Sequence, residues 1–104
     1  MLRTAMNAAS QEISCSDLLK VLADETRLSV VRQLMAGPRC VSEINEELQV
    51  EPTLLSHHLR VLRDSGIVEA ERDGKAMRYR LAPGVESQRR GTSIDLGCCR
   101  IVFD

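Results

Sequence analysis

The sequence predicts an α+β fold that is mainly α: a winged helix-turn-helix with a two-stranded β-hairpin as its wing. Three observations carry that expectation. Val41 to Leu48 forms one helical segment, and Gln49-Val50-Glu51 turns the chain before Pro52, whose fixed φ and missing donor suit the first position of a second helix. In that second segment Leu55, Leu59 and Leu62 recur at i, i+4 and i+7, leaving Thr53, Ser56, His57, Arg60 and Arg63 on or near the other face. From Ile67 the period changes to two: Val68, Ala70 and Arg72 alternate with Glu69 and Glu71, and after a turn at Asp73-Gly74 Met77, Tyr79 and Leu81 alternate with Arg78 and Arg80. This order suits a small module that lays one helix in a DNA groove and a β-wing on the backbone beside it.

The elements follow in chain order. Residues 1–12 have few large apolar groups and read as a flexible N-terminal arm. Ser14 or Ser16 caps a helix running to about Ala23, with Leu18, Val21 and Leu22 inward. Asp24 caps the next, whose inner face is Leu28, Val31, Leu34 and Met35 and whose exit is Gly37-Pro38. The helix-turn-helix then runs from Val41 to Ser65-Gly66, so residues 13–82 make one winged domain. Residues 83–104 form a C-terminal tail for sensing and dimerisation, with a short helix from Pro83 and an extended strand over Cys98 to Phe103. Gly91 and Gly97 interrupt any longer helix there.

Whole-chain quantities bound the function loosely. One hundred and four residues make a single domain with a modest core, so association through apolar terminal segments is expected. The formal net charge of −1 does not by itself point to nucleic acid. Its distribution does: residues 11–50 carry seven acids against four bases, whereas residues 51–82 carry six bases against five acids. There is no apolar run of membrane-spanning length and no hydrophobic signal core, which predicts a cytoplasmic protein without a membrane partner whose four cysteines are thiols rather than disulfides. No cysteine stands beside a histidine, and so small a core encloses no substrate pocket, so neither an enzyme nor a catalytic cofactor is expected.

A DNA-reading helix needs short polar side chains near its N-terminus for base edges and phosphates, with longer bases beside them. Thr53, Ser56 and His57 fit the first role and Arg60 the second, while Arg72, Lys75 and Arg78 put positive charge on the wing. The bland alternative is a solvated helix face and hairpin, or a winged-helix module for protein interaction. His58, next to Leu59, reads as a packing or hydrogen-bonding histidine rather than a ligand.

Leu22-Ala23-Asp24-Glu25-Thr26-Arg27-Leu28, Cys40-Val41-Ser42-Glu43-Ile44, Leu55-Ser56-His57-His58-Leu59-Arg60-Val61-Leu62 and Gly66-Ile67-Val68, closed by the Asp-Gly wing, resemble the ArsR/SmtB family of bacterial metal-sensing repressors over roughly residues 15–82. The resemblance implies a winged-helix homodimer that binds double-stranded operator DNA, an inverted repeat, and lets go when an inducer is bound. It also narrows the inducer. Members that sense metal on the first helix of the helix-turn-helix use Cys-Val-Cys, and here Ser42 replaces the second cysteine; members with zinc sites on a final helix use histidines there, and none follows His58. What remains is Cys98-Cys99, as in arsenic-sensing members with late thiols, together with Cys15.

Thiolate is the soft ligand among protein side chains, and trivalent arsenic, taking three thiolates in a pyramid, selects it over imidazole and carboxylate. Arsenite or antimonite is therefore the expected inducer, bound by Cys98, Cys99 and, as first choice for the third ligand, Cys15. In a regular strand Cys98 and Cys99 point to opposite faces, so Gly97 must permit a bend. Cys40 is the second choice and is otherwise a small buried hydrophobe. The same thiols also suit a repressor that senses oxidants or persulfides.

Overall fold

The computed structural model describes residues 14–87 and 89–103; the arm expected over residues 1–12 lies outside them. Helix α1 (Cys15–Leu22) starts at Ser14, whose hydroxyl accepts from the Asp17 amide at 3.2 Å. Helix α2 (Glu25–Met35) starts at Asp24, whose Oδ1 accepts from the Arg27 amide at 3.0 Å. Both caps satisfy amides that have no partner inside a first helical turn. That bond holds the Asp24 carboxyl below the usual carboxylate range, with the positive charge of Arg27 among the further contributions.

A two-residue strand, β1 (Arg39–Cys40), precedes α3 (Val41–Leu48), and α4 (Pro52–Asp64) follows after a tight turn. Asn45 sets that turn: its Nδ2 donates to the Val50 carbonyl at 3.0 Å and its Oδ1 accepts from the Val50 amide at 2.9 Å, while Gln49 takes a left-handed φ of 54°. Pro52 occupies the start of α4, and the Glu51 carboxylate accepts from the Leu54 amide at 3.0 Å.

The wing is β2 (Val68–Asp73) and β3 (Ala76–Leu81), antiparallel, with Val68 opposite Leu81 and Asp73 opposite Ala76. That register moves the turn by one residue from the expected Asp73-Gly74 to Gly74-Lys75. Gly74 has φ 67° and Lys75 is not among the positive-φ residues, the pattern of a turn with glycine first. Strand β1, which periodicity did not reveal, adds to the other edge of β3, with Arg39 opposite Tyr79 and Cys40 opposite Arg78.

The tail departs further from expectation. After α5 (Pro83–Ser87), β4 (Arg89–Arg90), β5 (Ser93–Asp95) and β6 (Arg100–Val102) form a second antiparallel sheet in the order β4-β5-β6. Only Arg100 to Val102 of the expected Cys98–Phe103 strand is a strand; Cys98 and Cys99 lie in the turn before it.

Leu18, Leu22, Val30, Val31, Leu34, Ile44, Leu55, Leu59 and Leu62 fill the core. In α2 it is Val30 that is fully buried, whereas Leu28 only borders the core. Val85, Ile94 and Leu96 are buried in the same cluster, with Ile101 and Phe103 against it. The tail's apolar residues thus pack largely within their own chain. Among the described residues the large apolar side chains left in solvent are Leu19, Leu54 and Val102, and no helix is long and apolar enough to cross a membrane.

Candidate functional site

Two places on the molecule match the residues singled out in the sequence. On one side, α4 and the wing enclose an open cleft of about 500 Å³ lined by Thr53, Ser56, His57, Arg60 and Arg63 from α4 and by Met77 and Tyr79 from β3. The leucine stripe of α4 is buried, and that orientation turns Thr53, Ser56, His57 and Arg60 outward together. Arg60 and Arg63 are exposed and make no ion pair among the described residues.

The wing is less uniformly available. Arg72 and Lys75 are exposed and unpaired among the described residues, but Arg78 is ion-paired with Asp73, which raises its pKa. Arg80 is held by Glu69 at 3.2 Å and Glu71 at 3.6 Å. On this side of the molecule the exposed bases without an ion pair among the described residues are thus Arg60 and Arg63 on α4 and Arg72 and Lys75 on the wing.

The histidines separate by one residue and by role. His57 faces the cleft, whereas His58 is 7% exposed and its Nδ1 lies 2.9 Å from Nη1 of Arg27. A guanidinium only donates, so Nδ1 is the acceptor of this pair. His58 is a hydrogen-bonding histidine, as expected. Gln33, buried between α2 and α3, donates to the Ile44 carbonyl at 3.1 Å and accepts from Arg39 at 2.8 Å, tying β1 and α3 to the core. No pattern in the sequence marked Gln33, whose partners lie on other elements, and Arg27, though part of the Leu22–Leu28 motif, did not show there its bond to His58.

The second place is the thiol cluster. Cys15 opens α1, and Cys98 and Cys99 occupy the loop joining β5 to β6, which Asp95 opposite Arg100 closes. Gly97 takes φ 93° and its amide donates to Asp95 Oδ1 at 2.8 Å; the Leu96 amide donates to the Cys99 carbonyl at 2.8 Å. The bend at Gly97 brings the vicinal pair onto one side, Sγ to Sγ 3.9 Å. The sulfurs of Cys15, Cys98 and Cys99 all lie within 4.8 Å of one another. Contrary to the expectation of four thiols, Cys15 and Cys98 are joined as a disulfide, with Cα atoms 5.9 Å apart, and Cys99 and Cys40 are free. The ends of α1 and of the β5–β6 hairpin are close enough for a bond that separation in sequence concealed. Cys40 stands apart at the start of α3, where its amide donates to Glu43 at 2.8 Å.

Residues 24–70 match the model of the bacterial regulatory protein arsR family. The chain is similar to the HTH-type transcriptional repressor SmtB of Mycobacterium tuberculosis, 41% identical over 69 residues that make up 66% of this chain and 51% of that protein. It is 41% identical over 69 residues to the arsenical resistance operon repressor of Escherichia coli, covering 65% of this chain and 59% of the relative. Against the biofilm growth-associated repressor of Xylella fastidiosa it is 36% identical over 88 residues, 85% of this chain and 75% of the other. The chain thus spans about half the length of the first of these relatives and more of the others. Among solved structures, the transcriptional repressor BigR from Xylella fastidiosa superposes with a TM-score of 0.63 at 38% identity, covering 70% of this chain and 74% of that one.

Proposed function

Because the chain belongs to the ArsR family of bacterial regulatory proteins, we propose that it represses transcription by laying α4 in the major groove of an operator, and that trivalent arsenic or antimony bound by Cys15, Cys98 and Cys99 releases it. The observation that carries the inducer is the approach of these three sulfurs to within 4.8 Å. The arsenical resistance operon repressor among the relatives supports the same ligand class.

Reduction of the Cys15–Cys98 bond takes two electrons and two protons from a dithiol and frees two thiols, which with the free Cys99 make three. Arsenous acid then exchanges its three hydroxyls for three sulfurs, and the thiol protons leave with them as water. On the DNA side, Thr53, Ser56 and His57 meet base edges and phosphates, and Arg60, Arg72 and Lys75 neutralise phosphates. Arg78 contributes after giving up Asp73. A homodimer sets two α4 helices on two half-sites of an inverted repeat about one helical turn apart.

A second reading has a specific observation in its favour. The Cys15–Cys98 disulfide is the state an oxidant-sensing or persulfide-sensing repressor would reach, with Cys99 as the neighbouring thiol.

The test is a mobility shift of the reduced protein on the DNA upstream of its own gene. Arsenite is expected to release the wild type, while the Cys98→Ser, Cys99→Ser double variant binds that DNA and is not released. Cys15→Ser should weaken the response and Cys40→Ser should change little. Release of the double variant by arsenite would overturn the site, and mass spectrometry of the responding protein separates reversible arsenic addition from oxidation or sulfur addition.

A further inference from the structure

One side chain outside both sites touches the elements that carry them. Arg27 Nε donates to the Val21 carbonyl at 2.6 Å, and Nη1 donates to His58 Nδ1 at 2.9 Å. Its own amide is held by Asp24 at 3.0 Å. Val21 lies in the last turn of α1, where carbonyls lack partners inside the helix, so the guanidinium closes that end. His58 is buried and sits on α4 beside His57, with ring centroids 5.6 Å apart.

Helix α1 therefore begins in the thiol cluster at Cys15 and ends on Arg27, which in turn grips the DNA-reading helix from behind. The helix is 8 residues long, short enough to move as a rigid rod when its first residue changes partner. A displacement of Cys15 must either break the Val21–Arg27 bond or carry Arg27 with it, and the second course pulls on His58. The grip is directional: two donors of one planar fork serve two acceptors on different helices, which a single ammonium does not reproduce.

We infer that Arg27 is the positioning residue that couples the state of the thiol cluster to the pose of α4, acting through His58. This rests on the repressor reading above. In thermodynamic terms, the bond pair Val21–Arg27–His58 is made in one arrangement of α1 against α4 and lost in the other. The inducer and the DNA each favour one arrangement, and the difference is the coupling.

The experiment measures operator affinity of the reduced full-length chain by fluorescence anisotropy, with and without arsenite, and takes the ratio as the coupling factor. Arsenite binding is followed separately by thiolate charge-transfer absorbance. For the wild type a ratio of about 5 to 150 is expected, the usual span for coupled sites. Arg27→Lys and His58→Leu should still bind arsenite and DNA, with the ratio reduced to within about twofold of unity. His58→Asn, whose Oδ1 takes the place of Nδ1 as acceptor, should retain most of the wild-type ratio, which a loss of packing alone would not predict. If Arg27→Lys does not fold, the two His58 variants decide. Equal ratios in His58→Leu and His58→Asn, or a wild-type ratio in Arg27→Lys, would overturn the inference alone. A wild type that binds arsenite without any change in DNA affinity would overturn the repressor reading and this inference with it.

Discussion

Single side chains on this protein divide into those that hold elements in place and those left open to a partner, and each kind has a measurable signature. Arg60 is exposed and unpaired on the cleft. Arg60→Ala is expected to weaken binding on all DNA sequences alike and to lower the salt slope by about 1, since a phosphate contact releases counterions and carries little base information. Salt titration of an operator and of an unrelated duplex checks both. Asp24 is of the first kind: its capping bond to the Arg27 amide keeps its carboxyl below the usual value. A depressed folded pKa means that Asp24 stabilises the fold fully above the unfolded value of 3.8 and loses that contribution as pH falls through the folded one. Asp24→Ala should cost about 1 kcal/mol at neutral pH and progressively less in acid, measured by urea unfolding across that range. Arg27 explains why such residues escape a linear reading, since its partner His58 is 31 positions away.

Elements were legible where local chemistry marks both ends. Ser14 and Asp24 at helix starts, Pro52 at the first position of α4 and Gly37-Pro38 after α2 are each read from one or two residues, and the observed helices keep those boundaries. The wing shows the limit of such signals. Asp73-Gly74 and Gly74-Lys75 are both acceptable turns, and only the full ladder from Val68–Leu81 to Asp73–Ala76 decides between them. Strand β1 and the tail strands have two or three residues each, too few for alternation to show, and they are defined by partners rather than by composition. The thiol cluster lies between these cases: its residue types and Gly97 were readable, whereas the bond across α1 and the β5–β6 loop was not. Gly74 tests the wing directly. A Cβ there would meet nothing within 4 Å, so the penalty of Gly74→Val comes from φ 67° alone. The variant is expected to lose about 1–2 kcal/mol of stability and to bind DNA more weakly, and a thermal melt paired with anisotropy checks both.

At the scale of the whole molecule, the tail is part of the core rather than an appendage. Val85, Ile94, Leu96, Ile101 and Phe103 close over Leu22, Val31 and Ile67 around one small apolar cavity. Removal of everything after Leu81 should therefore uncover that surface and give monomers or aggregates in light scattering; a stable, soluble dimer would place the dimer contact away from the tail. Leu19 of α1 and Val102 of β6 remain in solvent.

The Cys15–Cys98 bond spans 83 positions of sequence, which makes nearly the whole domain a closed ring. Ring closure on that scale removes about 4 to 5 kcal/mol of denatured-state entropy in the chain-entropy model. A protease that clips the wing tip or any other loop inside the ring opens it without dividing it, so the nicked protein runs as one species on a denaturing gel until a reductant parts the two fragments.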